Sequence, residues 1–213
     1  MRTIPLLLIC ALLTGCVFNT ISGSGRVTTE TRNVSGFSAI SMGGSGRVVV
    51  EQTGTESLTV TADDNLLPYI KTEVHGNELS LGVKDFTNIS PSTDITYKVT
   101  VKNLDGLSIS GSGMADAQKI QTKRLKIEIS GSGKAKAVGS ADDLELSISG
   151  SGDYEGDRLQ TKRADISISG SGSATVAASD KLDANVSGSG SVTYTGEPRV
   201  TQQISGSGSV RKR

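Results

Sequence analysis

The sequence is dominated by one short motif, Ser-Gly-Ser-Gly, that recurs at a nearly constant spacing. An early copy begins at Ser22, and the variant Gly-Gly-Ser-Gly begins at Gly43. A fixed period of about twenty residues is typical of a solenoid, in which each repeat forms one rung stacked on the next. The late copies are 20, 19, 20, 18 and 18 residues apart and begin at Ser110, Ser130, Ser149, Ser169, Ser187 and Ser205.

The residues before each late motif alternate between apolar and polar. Before the copy at Ser149 the chain is Leu144-Glu145-Leu146-Ser147-Ile148, and the other late copies follow the same rule with Asp105 and Gln202 as exceptions. Strict alternation is typical of a half-buried β-strand. Each repeat therefore predicts a strand, a glycine-rich corner, a second strand and a polar turn.

Repeat-equivalent apolar residues are expected to stack inside the solenoid. We predict that Ile127, Ile148 and Ile168 form one interior row and that Glu145 lies on the outward face. Neighbouring rungs in such a stack lie about 4.8 Å apart. Glycine at the corner permits a positive φ, or an approach that is too close for a Cβ atom.

Two interpretations of the motif serines stay open. In the first, the motif is a structural corner and its serines simply face solvent. In the second, the middle serines, which recur once per rung, form an outward stripe that binds a ligand. We expect that outward row to contain Ser132, Ser151 and Ser171.

The N-terminus has the features of an export signal. A positive start at Met1-Arg2 precedes an apolar run over residues 4–13, which is too short to span a membrane. The run ends in Leu13-Thr14-Gly15-Cys16, which resembles the lipobox of bacterial lipoproteins. The resemblance implies a signal peptide over residues 1–15 and lipidation of Cys16. An ordinary secretory signal that happens to contain a cysteine is the alternative.

The composition argues against several functions. The 22 basic and 22 acidic residues balance, so nucleic acid is not expected as a partner. His75 is the only histidine, and there is no Cys or His cluster that would bind zinc. We therefore predict no catalytic residue, no cofactor and no metal site. Aromatic residues are 3% of the chain with no tryptophan, which is a thin platform for stacking sugars or bases.

A second class of function stays as an alternative. Parallel β-helices also occur as polysaccharide lyases and hydrolases, which use clustered carboxylates. Two adjacent acidic pairs are present, Asp63-Asp64 and Asp142-Asp143. Both pairs lie at predicted turns, where aspartate is favoured for structural reasons.

The chain divides into three parts. Residues 1–15 are the signal peptide, residues 16–33 are a lipid-anchored segment with a predicted first rung at Ser22, and residues 34–213 are the β-helix domain. The gap of 67 residues between the copies at Gly43 and Ser110 has the length of about three rungs without the motif. We predict strands there over residues 47–52, 58–62, 70–75, 78–83 and 95–101, with a short helical piece at 63–68, a hairpin turn at 75–77 and a protruding loop at 86–93.

The sequence from Val34 onwards resembles the family of the putative auto-transporter adhesin, head GIN domain. The Ile-Ser-Gly-Ser-Gly series carries the resemblance. It implies an all-β fold, a right-handed parallel β-helix, here with rungs of about 18–21 residues. Further carriers are Val34-Ser35-Gly36-Phe37-Ser38-Ala39-Ile40, Gly44-Ser45-Gly46-Arg47-Val48, Asn65-Leu66-Leu67-Pro68-Tyr69-Ile70 and Ser191-Val192-Thr193-Tyr194-Thr195-Gly196.

Together these features predict a non-enzymatic lipoprotein of the cell envelope, a β-helical scaffold or adhesin-like binding module. Its expected partners are the membrane, through the lipid anchor, and a protein or polysaccharide ligand that the sequence does not identify. Val17 after the cysteine resembles the pattern for outer-membrane sorting, if the source is a Gram-negative bacterium. The alternative is a carbohydrate-active β-helix enzyme.

Overall fold

The computed structural model describes residues 20–213, which consist almost entirely of β-strands and their connections. Strands make up 73% of this part of the chain, and a single 3₁₀ turn lies at Leu67–Tyr69. The strands are β1 (Thr20–Ser22), β2 (Val27–Arg32), β3 (Ala39–Gly44), β4 (Arg47–Gln52), β5 (Ser57–Asp63), β6 (Ile70–His75), β7 (Glu78–Val83), β8 (Asn88–Ser90), β9 (Thr96–Val101), β10 (Gly106–Gly111), β11 (Met114–Gly131), β12 (Lys134–Gly150), β13 (Asp153–Gly170), β14 (Ser173–Gly188), β15 (Ser191–Thr195), β16 (Arg199–Gly206) and β17 (Ser209–Lys212).

From β10 onwards the chain winds as a regular stack. Strands β10 to β14 pair in parallel, each with the next, and β16 continues the stack on β14. The result is a β-solenoid of about five turns, which confirms the predicted all-β parallel β-helix. The first serines of the late motifs lie in one register, in the order Ser110, Ser130, Ser149, Ser169, Ser187 and Ser205.

The interior is filled by columns of aliphatic side chains, one per rung. Ile129, Ile148 and Ile168 form one column, and each is 2% exposed or less. The prediction that Ile127 belongs to this column is wrong, because Ile127 is opposite Leu146 in the neighbouring column. The error has a simple cause. Ile129, not Ile127, directly precedes its motif, as Ile148 and Ile168 precede theirs, so the predicted row was displaced by two residues at this rung.

The second wall of the solenoid carries smaller side chains. Ala115, Ala135, Tyr154 and Ala174 are opposite one another in successive rungs, and all four are buried. The Tyr154 ring takes up space that alanines leave in the neighbouring rungs. A Cβ atom at Gly156 would come within 2.4 Å of that ring, so glycine is required beside the tyrosine.

The N-terminal end differs from the predicted three rungs. Strands β7 and β9 form one parallel rung on β3 and β4. Strand β6 pairs with β7, and β5 pairs with β9, in the antiparallel direction. The chain reverses at the hairpin turn of residues 75–77, which was predicted, and at the tight turn that contains Gly54, where φ is +83°. These antiparallel strands cover the end of the stack, and the 3₁₀ turn at Leu67–Tyr69, which overlaps the helical piece predicted at 63–68, connects them.

The segment before residue 34 is not a parallel rung of the stack. Its strand β2 pairs antiparallel with β5, and Val27, at the position that is buried in later repeats, is 51% exposed. The short strand β1 pairs in parallel with β8. The interpretation of this segment as a first rung is therefore corrected to an edge strand and a short paired extension. Among the residues described, no helix is long and apolar enough to cross a membrane.

Candidate functional site

The two glycines of each motif allow the chain to turn close to the rung below. Gly150 has φ of +116°, and a Cβ atom there would lie 2.5 Å from the carbonyl oxygen of Gly131. Gly152 is buried, and its Cβ would lie 2.4 Å from Cγ2 of Ile129. The amide of Ser151 donates to the Gly131 carbonyl oxygen at 2.8 Å, so backbone hydrogen bonds continue through the corner.

The serine between the two glycines points away from the core. Ser132, Ser151 and Ser171 are exposed, as predicted, and they lie on the outside of successive corners. These geometries support the interpretation of the motif as a structural corner, since the glycines satisfy its backbone requirements. A second set of serines lies on the adjoining wall, in the strands that precede the corners.

A shallow groove of about 570 Å³ runs along the outward face of the strands that precede the corners. It spans the last rungs, from β12 to β16. Because outward residues alternate with buried ones, each rung contributes two polar side chains to it. Its walls and floor are Ser147, Ile148, Ser149, Ser167, Ile168, Ser169, Asn185, Val186, Ser187, Gln203 and Ser205.

The groove carries no charge, and more of its exposed lining is apolar than polar. Its outward side chains are hydroxyls and amides, and Ile148 and Ile168 contribute to the floor while their side chains point into the core. Each hydroxyl can both donate and accept a hydrogen bond. On the next wall, by contrast, the Ser173 hydroxyl is already bonded to Oδ1 of Asp153 at 2.6 Å.

A ladder of charged side chains flanks the groove on the same sheet. Nη2 of Arg163 donates to Oδ2 of Asp143 at 2.8 Å, and this bond holds the pKa of Asp143 below its ordinary value. A hydrogen bond from Lys181 likewise lowers the pKa of Asp183. These carboxylates are ionised at neutral pH and are paired along the ladder. The outward column nearest the groove contains Glu145, Asp165 and Asp183, which pair in register.

Both acidic pairs that could serve an enzyme are already bonded to other groups of the fold, through ion pairs or backbone hydrogen bonds. Asp142 pairs with Lys162 at 2.8 Å, next to the Arg163–Asp143 pair. Asp63 is fully buried, and its carboxylate accepts hydrogen bonds from the amides of Gly25 and Ser92, both at 2.8 Å.

The single histidine lies at the surface of the N-terminal hairpin. His75 contacts Glu73 at 3.1 Å, and the bond lowers the pKa of that glutamate. In residues 20–213 there is no group of three or more His, Cys, Asp or Glu side chains that could hold a metal ion.

The predicted site residues have different outcomes. Cys16 lies outside the described residues, so its lipidation stays a prediction. The stripe of middle serines exists but does not line the groove, which is formed by Ser149, Ser169 and their neighbours. The signal for this second set was present in the sequence, because the repeated Ser-Ile-Ser before the corner places two hydroxyls on one face of each strand.

The stacked rungs define a β-solenoid with an uncharged groove along one wall. The chain belongs to the family of the putative auto-transporter adhesin, head GIN domain, whose model matches residues 36–198. This finding confirms the resemblance that the motif series indicated. No curated protein matches the chain.

Solved structures of similar proteins share the fold along nearly the whole chain. A putative adhesin from Bacteroides fragilis NCTC 9343 is 24% identical, with a TM-score of 0.74, and the match covers 91% of this chain and 100% of that one. A putative lipid binding protein from Parabacteroides distasonis ATCC 8503 is 27% identical, with a TM-score of 0.63 and coverage of 92% and 100%. A putative adhesin from the same organism is 25% identical, with a TM-score of 0.59 and coverage of 92% and 100%.

Proposed function

We propose that this protein is a lipid-anchored, non-enzymatic binding module of the cell envelope and that it holds a neutral glycan along the groove. The observation that carries the proposal is the double column of uncharged hydroxyl and amide groups from Ser147 to Ser205. The adhesin description of the family supports a role at the cell surface. If the source is Gram-negative, Cys16 followed by Val17 favours the outer membrane.

A neutral glycan fits this groove better than an acidic one. Sugar hydroxyls donate and accept hydrogen bonds, which matches serine hydroxyls that do the same. An anionic polymer would find no cation in the groove, and the column beside it holds the carboxylates of Glu145, Asp165 and Asp183, of which Asp183 is paired with Lys181. Because no charge of the groove itself takes part, we expect binding to depend little on ionic strength.

The ligand class can be tested on a panel of immobilised polysaccharides. The protein should be retained by one or more neutral polymers and not by uronate or sulfated polymers of similar length. Retention should be the same at low and at high salt. Retention by acidic polymers alone, or retention that is lost on adding salt, would contradict a neutral groove ligand. Release of reducing sugar from a retained polymer would favour the enzyme instead.

Lipidation can be tested separately from ligand binding. In cells fed labelled palmitate, the wild-type chain should become labelled and stay with the membrane fraction. Cys16→Ala should be unlabelled and should accumulate uncut or be released. Cys10→Ala is the matched control, because Cys10 lies in the predicted signal peptide, and it should behave as the wild type. A labelled Cys16→Ala protein would refute the anchor.

A further inference from the structure

We infer that the turn carrying Phe86, together with Tyr69, rests in the surface of the membrane to which the chain is anchored. The inference depends on the proposed lipidation of Cys16. It adds an orientation to the anchor. The end of the solenoid covered by antiparallel strands faces the bilayer, and the groove lies on rungs that are farther away.

Phe86 is the most exposed large apolar residue in the described part of the chain. Its side chain is fully exposed, and its φ of +59° lies in the left-handed region that phenylalanine rarely adopts. The turn is closed by a hydrogen bond of 3.3 Å from the amide of Thr87 to the carbonyl oxygen of Lys84. Neither burial nor backbone preference accounts for a phenylalanine here, so the fold does not explain its presence.

A second exposed aromatic residue lies at the base of the β6–β7 hairpin, beside the turn that carries Phe86. Tyr69 is 36% exposed, and its carbonyl oxygen accepts a hydrogen bond of 2.9 Å from the amide of Lys84. The hydrogen bond joins the backbone before β6 to the backbone that leads into the Phe86 turn. Two aromatic residues are therefore presented from adjacent backbone at one end of the molecule. Tyrosine is enriched at membrane interfaces, where its ring lies at the level of the headgroups, and phenylalanine is among the apolar residues that interfacial segments bury at the acyl boundary.

The path of the chain brings the anchor to this end. Strand β1 pairs in parallel with β8, and Thr20 is opposite Asn88, two residues after Phe86. The chain therefore enters β1 from the side on which Phe86 lies. Thr20 is four positions after Cys16, and a fully extended chain of that length spans at most about 14 Å. A lipid on Cys16 therefore keeps this end of the solenoid close to the membrane.

The start of the described chain is firmly attached to this end. The amide of Gly23 donates to the Ser90 carbonyl oxygen at 2.9 Å, and the amide of Gly25 donates to the buried Asp63 carboxylate at 2.8 Å. The anchor is therefore tied to a fixed point of the fold rather than to a long tether.

The turn that carries Phe86 has no net charge, because the charges of Lys84 and Asp85 cancel. We therefore expect contact with zwitterionic as well as anionic lipid.

The position of the groove follows from the order of the strands. Along the sheet, β12 lies four strands from β7, and β16 lies seven strands from it. At about 4.8 Å per strand, the groove begins roughly 19 Å and ends roughly 34 Å from β7. The contact at Phe86 would therefore leave the groove free to meet a ligand outside the headgroup layer.

Tryptophan fluorescence tests the contact, because the natural chain contains no tryptophan. The processed lipoprotein carrying Phe86→Trp is reconstituted into phosphatidylcholine vesicles that contain a brominated lipid, which quenches nearby tryptophan. Gln203→Trp, on an exposed position of the last rung, is the matched control. We expect the Phe86→Trp emission to shift to the blue and to be quenched, and the Gln203→Trp emission to do neither. Mass spectrometry of each sample establishes whether acyl chains are present.

The outcomes separate the inference from the anchor. Acylated protein whose Phe86→Trp emission is unshifted and unquenched, as in the control, would overturn the membrane contact and leave the anchor intact. Equal quenching at both positions would overturn the orientation, since the molecule would then lie along the membrane. Protein without acyl chains would refute the anchor and the orientation with it. Phe86→Ser should melt at the same temperature as the wild type, because the side chain has no structural role.

Discussion

At a corner of the solenoid, the physical demands on three consecutive residues are different. Gly150 occupies the left-handed region, Ser151 faces solvent, and Gly152 lies against Ile129 of the rung below. A side chain is therefore excluded at the glycines and tolerated at the serine. The motif recurs because the backbone must pass each rung at the same close distance.

Gly152→Val tests this division of roles. The new side chain would meet Cγ2 of Ile129 and the carbonyl oxygen of Gly133, which lie 2.4 and 2.8 Å from a Cβ at this position. We expect the variant to lose about 1–3 kcal/mol of unfolding free energy, measured by urea denaturation. Ser151→Ala is the control and should stay within about 0.5 kcal/mol of the wild type. A harmless Gly152→Val would contradict the close packing of the corners.

Ile148→Asp tests the assignment of inward and outward faces. Ile148 is 2% exposed, so the substitution removes an apolar contact and places a carboxylate without a partner in the core. We expect a loss of at least about 3 kcal/mol and a sharp fall in the melting temperature. Glu145→Ala, on the outward face of the same strand, should change stability by about 0.5 kcal/mol or less. Similar effects from the two variants would contradict the assignment of the two faces.

At the scale of elements, one buried carboxylate fastens the N-terminal extension to the end of the stack. The Asp63 carboxylate accepts hydrogen bonds from the amides of Gly25 and Ser92. A Cβ atom at Gly23 would come within 2.3 Å of its Oδ2 atom. The early copy of the motif is therefore used differently from the late copies. Gly23 leaves room for the Asp63 side chain and Gly25 donates its amide to it, whereas the late glycines leave room for a neighbouring rung.

Asp63→Asn should loosen this extension. An amide group cannot accept both hydrogen bonds, so the amide of Gly25 or Ser92 would lose its partner, at a cost of about 0.5–1.5 kcal/mol. Hydrogen exchange should speed up at Gly25 and Ser92 and should be unchanged in β12 and β13. Asp94→Asn, at an exposed position in the same region, is the control and should leave exchange unaltered. Unchanged exchange in Asp63→Asn would show that the carboxylate does not hold the N-terminal extension in place.

Most elements were predictable from the sequence, but their directions were not. The bounds predicted for β4, β6 and β7 agree with the structure, because alternation and turn residues are local signals. Alternation is the same whichever way a strand runs, so it did not show that β5 and β6 cross the stack in reverse. The prediction of a first rung at Ser22, which would bury Val27, was wrong for a related reason. A repeat offset predicts burial only if another rung covers the residue.

At the scale of the whole molecule, the regular rungs turn single residues into continuous surfaces. A serine repeated at one register position becomes a column, and two such columns form the neutral groove. The sequence predicted that serines would face outward in rows. Which row lines a groove depends on the shape of the wall, and spacing in the sequence carries no information about that shape.

The central claim is that the serines of the groove bind the ligand and that those of the corners do not. Two triple variants with the same composition separate them: Ser149→Ala, Ser169→Ala and Ser187→Ala in the groove, against Ser151→Ala, Ser171→Ala and Ser189→Ala at the corners. The measurement is the affinity of each for the polysaccharide that retains the wild type, with the melting temperature recorded alongside. We expect both to melt close to the wild type, with the groove variant at least about tenfold weaker in binding and the corner variant unchanged. Loss of binding in the corner variant alone, or equal affinity in all three proteins, would contradict the account.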